Sequence, residues 1–232
     1  MTTQHIETNS LLYSLKLFQA KVNGQTTLEE LTAKFEELAP VFLYGGYINV
    51  RNEYHIYIRT VEFYFHSETE SENSVKDPVV YHRNNKYIDG NVPYFPLMSF
   101  HAHASGFDIT FENEKEKYRA SGLIRSYEVW GVKQEQYLFY DKSIQKFRFR
   151  KEDEPIWNGQ STYLYNFLNG FSSDGISWID AKSTQSMKLK MSKRQGVYKS
   201  DDPNTYSPTI VDGHKIPDIR QWSFTRQESL LK

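Results

Sequence analysis

With 232 residues, 38% of them hydrophobic and 25% charged, the chain is long enough to bury a substantial core. It has no cysteine, which excludes disulfides, thiolate-bound zinc and a cysteine nucleophile. Its formal net charge of −1 argues against a protein that holds nucleic acid by overall charge alone.

Two helices are expected to open the chain. "NSLLYSLKLFQAKVNG" reads as the first, capped at Asn9 or Ser10 and stopped near Asn23–Gly24. "TLEELTAKFEELAP" reads as the second: Thr27 and Glu30 stand in capping-box register, Leu28, Leu31, Phe35 and Leu38 form an apolar stripe, and Pro40 is expected to end it. From Phe42 the period changes to two. "YINV" and "EYHIYIRTVEFYF" read as strands, with Ile56, Ile58, Thr60, Glu62 and Tyr64 on one face of the second and Tyr57, Arg59, Val61, Phe63 and Phe65 on the other. The aromatic content of 16% suits such pleated surfaces.

Residues 66–76 form a polar, acidic loop. "YFPLMSFHAH", "GFDITFEN" and "YRASGLIRSYEVW" follow as strands, "QYLFYD" and "KFRFRK" read as another pair with a helix left open for the first, and "STYLYNFLNG" reads as a short helix ending at Gly170. Short strands joined by Asp-Gly and Pro turns complete the chain. The reading is one α+β domain over 1–232, mostly antiparallel, with helices of 1–40 packed on the sheet. The opening residues lack a basic start, Lys16 interrupts their apolar part, and no apolar run approaches the ~20 residues of a membrane span. The expected location is the cytoplasm, and the expected state a monomer.

Basic residues concentrate in "KSIQKFRFRK", with Arg148 and Arg150, and in "KSTQSMKLKMSKR", with Lys190 and Arg194. They read as a local basic face or as solvated strand edges. His101 and His103 share one strand face, where they could begin a metal site with His66, His82 or Asp108, line a pocket, or be nothing more than a strand edge. Serine-hydrolase elbows and phosphate-binding glycine loops are absent from the sequence. Glu62 sits in the apolar run "IRTVEFYF", where a carboxylate is costly to bury unless paired or functional, and Arg125 in "SGLIRSYEV" is its counterpart. The two form either a structural ion pair or a general base with its electrostatic partner.

Taken in order, "LYGGYINV", "VEFYF", "DPVVYHRN", "MSFHAHASGFDI", "SGLIRSYE", "SKRQGVY" and "RQWSFTR" resemble the alkyladenine (3-methyladenine) DNA glycosylase family. The resemblance implies that fold and a hydrolase that flips out a damaged or alkylated purine and cleaves its N-glycosidic bond with a carboxylate-activated water. It implies Glu62 as the base, Arg125 as its partner, and Tyr64, His82, His101 and Phe100 as the base pocket. Arg148, Arg150, Lys190 and Arg194 would meet the backbone of double-stranded DNA, with no metal or cofactor. The family wedges a tyrosine into the duplex before its strand glycine. Here Ala104 and Ser105 stand before Gly106, which leaves His103 or Phe107 as the candidate wedge. A catalytically inactive member that binds a small molecule, nucleic acid or protein is the alternative.

Overall fold

The computed structural model describes residues 10–72, 74–84, 90–103, 105–158, 161–171, 173–181, 187–202 and 207–228. Helix α1 (Leu11–Lys21) begins where Ser10 Oγ accepts from the Tyr13 amide at 3.2 Å, and it buries Leu11, Leu15 and Phe18 along one stripe. Helix α2 (Leu28–Tyr44) carries the complete Thr27–Glu30 capping box. Pro40 does not end it. The proline forfeits one helical bond, but Phe42, Leu43 and Tyr44 are buried beyond it, and their packing carries the helix one more turn.

Antiparallel pairing joins β1 (Gly46–Val50), β2 (Tyr54–Ser67), β3 (Ser99–His103), β4 (Gly106–Thr110), β5 (Tyr118–Gly131), β6 (Gln136–Asp141), β7 (Lys146–Phe149), β8 (Trp157–Asn158), β9 (Ile176–Asp180), β10 (Leu189–Ser192) and β13 (Ser223–Arg226) into one curled eleven-stranded sheet. Its spine is the long β2–β5 pair, flanked in the order β10-β13-β2-β5-β4-β3. A separate hairpin pairs β11 (Ile210–Val211) with β12 (His214–Lys215). The strand expected from Tyr94 begins only at Ser99, since Pro93 and Pro96 offer no ladder donors.

The core lies between the helices and one face of this sheet. Phe35 stacks on Phe63 at 4.7 Å and meets Trp222 edge-on at 4.9 Å, while Phe18, Phe42 and Phe111 close around them. Helix α3 (Ser161–Leu168) packs on β4, where Gly106 has φ +151° and an added Cβ would lie 2.4 Å from Ser161 Cβ. Only glycine lets the helix start sit this close to the strand. The architecture is thus α+β with a curled antiparallel sheet. No described helix is long and apolar enough to cross a membrane.

One irregularity positions everything that follows. Ile58 pairs with Tyr127, Thr60 with Ser126 and Val61 with Ile124, so Arg59 and Arg125 are each left over as an extra residue. The double bulge reverses the alternation on both strands. Ile56 and Ile58 therefore share the core face with Val61, Phe63 and Phe65, not with Glu62 and Tyr64 as the plain period of two predicts. Glu62, Tyr64 and Arg125 are turned to the opposite face.

Candidate functional site

On that opposite face one continuous rung crosses the sheet: Ser223, Glu62, Leu123, Asp108 and His101 are direct partners in sequence across β13, β2, β5, β4 and β3. Directly paired residues point to the same side, so the ladder itself brings Glu62, Asp108 and His101 to one surface.

Glu62 is buried, and its contacts are fully specified. Arg125 Nε donates to Oε2 at 2.6 Å, the Tyr64 hydroxyl donates to the same oxygen at 3.0 Å, and the Gln195 amide donates to Oε1 at 2.7 Å. Arg125 Nη2 donates in turn to the Tyr64 oxygen and the Gln195 carbonyl, each at 3.1 Å. Burial works against the Arg125 charge, but Tyr64 and Glu62 more than offset it and hold its pKa above the usual value. Burial and the adjacent Glu62 raise the Tyr64 pKa, so the phenol stays protonated and donating. Oε2 accepts two bonds and Oε1 one, which leaves Oε1 with capacity for a water.

Beside this cluster lies a cavity of about 260 Å³. Its floor is Tyr64, Ser121 and Leu123. Its walls are Val79–His82 on one side and Gln195–Val197 on the other, closed by His103, Asp108 and Arg125. Tyr64, Val80, Leu123 and Val197 form a small apolar cluster of their own. The His103 ring stacks on Tyr81 at 4.2 Å, and its Nε2 is 3.0 Å from Asp108 Oδ2. Two buried polar atoms find no hydrogen-bond partner among the described residues here, Asp108 Oδ1 and the Tyr81 hydroxyl. The cavity thus offers aromatic faces in Tyr64 and Tyr81 and polar side chains in His103, Asp108 and Arg125.

The predicted site residues divide. Glu62, Tyr64 and Arg125 form one hydrogen-bonded cluster, and Tyr64, His82, His103 and Arg125 line the cavity. His82 is buried against the Glu112 carboxylate and touches Tyr81 edge-on. His101 stands behind the wall, its ring between Tyr81 at 5.5 Å and Phe95 at 4.3 Å. Phe100 has no place in the cavity. It pairs with Ile109 on the core face and stacks on Phe107, because neighbours in a strand cannot share a face.

The wedge and backbone residues are corrected as well. Phe107 is 2% exposed in the core, and His103 is held inward by Asp108 and Tyr81, so neither projects as a wedge. Ala104 lies outside the described residues. Arg194 is buried in ion pairs with Asp77 and Asp218, with its guanidinium 4.6 Å from the Tyr64 ring, and supports the site from beneath without reaching a phosphate. Arg148 is neutralised by Asp141 and Glu154, and Arg150 donates to the carbonyls of Lys151, Glu152 and Glu154. Lys190 is exposed on β10. No described residue of the acidic loop lines the cavity, and no group of three metal-binding side chains converges among the described residues.

Sequence reading missed Tyr81 and Gln195, since a loop tyrosine and a backbone amide carry no sequence signal.

The cavity wall depends on a buried histidine. His66 Nδ1 accepts from the Asp77 amide at 3.0 Å, and burial pushes its pKa down to about 3. The unfolded chain, with a histidine near 6.5, binds a proton throughout the interval in which the folded chain does not. This stability contribution is therefore complete above pH ~6.5 and is lost as pH falls toward 3. Asp77, lowered to about 2 by Arg194 and Arg220 against its own burial, adds a further loss only below its unfolded value of 3.8. Urea midpoints between pH 7 and 4.5 should fall with acidification in the native chain, and His66→Asn should flatten that slope. An unchanged slope in the variant would contradict the assignment.

No protein-family model, no curated protein and no solved structure matches this chain.

Proposed function

We propose that the protein is a hydrolase of N-glycosidic bonds, of the DNA glycosylase kind, that takes a purine-like base into the cavity and activates water with Glu62. The observation that carries this reading is the Glu62–Arg125–Tyr64 cluster at the edge of a ring-sized cavity. A base seated between Tyr64 and the Tyr81–His103 stack would present its glycosidic bond toward Arg125. Water on Glu62 Oε1 loses a proton to the carboxylate and attacks the anomeric carbon as the C–N bond breaks through an oxocarbenium-like transition state. The departing electron pair stays with the base, and the His103–Asp108 pair stands where a proton could be returned to that ring. Arg125 and the Gln195 amide hold the Glu62 carboxylate in a fixed position, which is the preorganisation such a step requires.

The three bonds already held by Glu62 favour a second reading, a binding module in which the same cluster is structural. Base release separates the two. Duplexes and single strands carrying hypoxanthine, 1,N6-ethenoadenine or methylated purines, and the corresponding nucleotides, are incubated with excess protein. Release from at least one substrate is expected. Binding of these ligands without release from any would establish the binding module instead.

A further inference from the structure

A second depression opens on the other side of Arg125. It has a volume of about 450 Å³ and shares Arg125 and Gln195 with the base cavity, while Glu62 lines its inner end. Its chemistry is different. Arg59, Arg125 and Lys193 supply positive charge, and Thr60, Ser126, Ser192, Ser223 and Thr225 supply hydroxyls. Trp157 forms its outer lip, 42% exposed, with the Arg59 guanidinium 3.9 Å above the indole. The double bulge is what directs both Arg59 and Arg125 here, since each is the unpaired extra residue of its strand.

Glu62, at 2.6 Å, answers Arg125, so the under-compensated charge in this groove is that of Arg59 and Lys193. Glu128, 4.0 Å from Arg59, lies closer to the buried Arg226 at 3.1 Å. Lys193 is exposed and has no ion pair, and the Ser192 and Ser223 side chains no hydrogen bond, among the described residues. The Thr60, Ser126 and Thr225 hydroxyls form a short chain, with Ser126 donating to Thr60 at 2.6 Å and Thr60 lying 3.0 Å from Thr225. The Arg59 guanidinium, the exposed Lys193 ammonium and a row of hydroxyls, with the Glu62-bound Arg125 at the inner end, form a receptor for an anion of several oxygens.

We propose that this groove binds one phosphate group, so that the ligand is a phosphorylated N-glycoside with its ring in the cavity and its phosphate between Arg59 and Lys193. The ring half of this assignment rests on the reading given above; the phosphate half rests on the groove alone. A single phosphate suits the molecule better than a duplex track. Of the cations expected to track a backbone, Arg148 and Arg150 are engaged by protein acceptors and Arg194 is buried, which leaves Lys190, exposed opposite Thr225 on the groove face, as one further cation beside Lys193 among the described residues.

The test is a titration of the full chain with inorganic phosphate, adenosine, adenosine 5′-monophosphate and a short unphosphorylated single-stranded oligonucleotide. Intrinsic fluorescence and calorimetry report binding, and Trp157→Phe identifies the signal from the groove. The monophosphate should bind at least about tenfold tighter than adenosine, and Lys193→Glu, a change at an exposed residue, should abolish that advantage while leaving adenosine binding intact. Equal affinity for the two, or an advantage that survives Lys193→Glu, would overturn the phosphate site while leaving the ring cavity standing. Binding of phosphate without adenosine would uphold the groove and remove the ring reading. An oligonucleotide that binds far tighter than the monophosphate, with steep salt dependence, would overturn the single-phosphate assignment in favour of a strand track.

Discussion

Replacing Arg119 with methionine is expected to destabilise the protein by about 3–5 kcal/mol, because it strands the buried Glu112 carboxylate and the partly buried Glu68. Arg119 is completely buried, and its guanidinium is pressed against the Tyr94 ring at 3.5 Å. Its Nε donates to Glu68 at 3.1 Å and Nη1 to Glu112 at 3.0 Å; Nη1 and Nη2 also donate to the Pro93 and Val92 carbonyls and to Asn84. Glu112 meanwhile accepts from the Phe95 amide at 2.8 Å and touches His82. One side chain thus ties the acidic loop, the segment carrying His82 and the segment carrying Phe95 to β5. Methionine fills much of the volume but answers none of the charges. A chain of this size should lose about 2–4 °C in Tm for each kcal/mol, and the urea midpoint should fall in step. Arg148→Ala provides the contrast. Its pairs with Asp141 and Glu154 are open to solvent, and its loss should leave the urea midpoint almost unmoved. If the two variants proved equally mild, the Arg119 network would not be what holds the cavity wall.

The helices and the long strands are legible in the sequence because local chemistry decides them. The Thr27–Glu30 capping box satisfies its own amides, and Ser10 needs only the next turn. Pro40 misleads for the opposite reason: its local cost is real, but burial of Phe42, Leu43 and Tyr44 outweighs it, and burial is a tertiary quantity. The double bulge is invisible for the same cause. "IYIRTVEF" alternates without a break on paper, and only the register against β5 reveals that Arg59 and Arg125 are extra.

The site was legible to a similar depth. Glu62 and Arg125 stand out as charges in apolar strands, and their pairing at 2.6 Å follows from the cost of burying either alone. That logic fails for Arg194. "MSKRQG" reads as a solvated basic segment, whereas Asp77 and Asp218, more than twenty residues away on either side, draw it inside. Phe100 and Phe107 could have been assigned correctly from period alone, since the face that carries His101 and His103 cannot also carry Phe100.

The central claim is that Glu62 works as a base, and Glu62→Gln tests it most directly. Glutamine keeps the size and still accepts through one oxygen from Arg125 or Tyr64, but it cannot take a proton from water at neutral pH. General-base contributions of this kind are worth about 10²–10⁴-fold in rate. Single-turnover base release from the best substrate, measured for both proteins alongside ligand affinity and urea stability, is the measurement to make. A fall in the release rate within that range, with the ligand still bound and the fold intact, is the predicted result. Release at the native rate from Glu62→Gln would contradict the account and leave Glu62 and Arg125 as a structural pair.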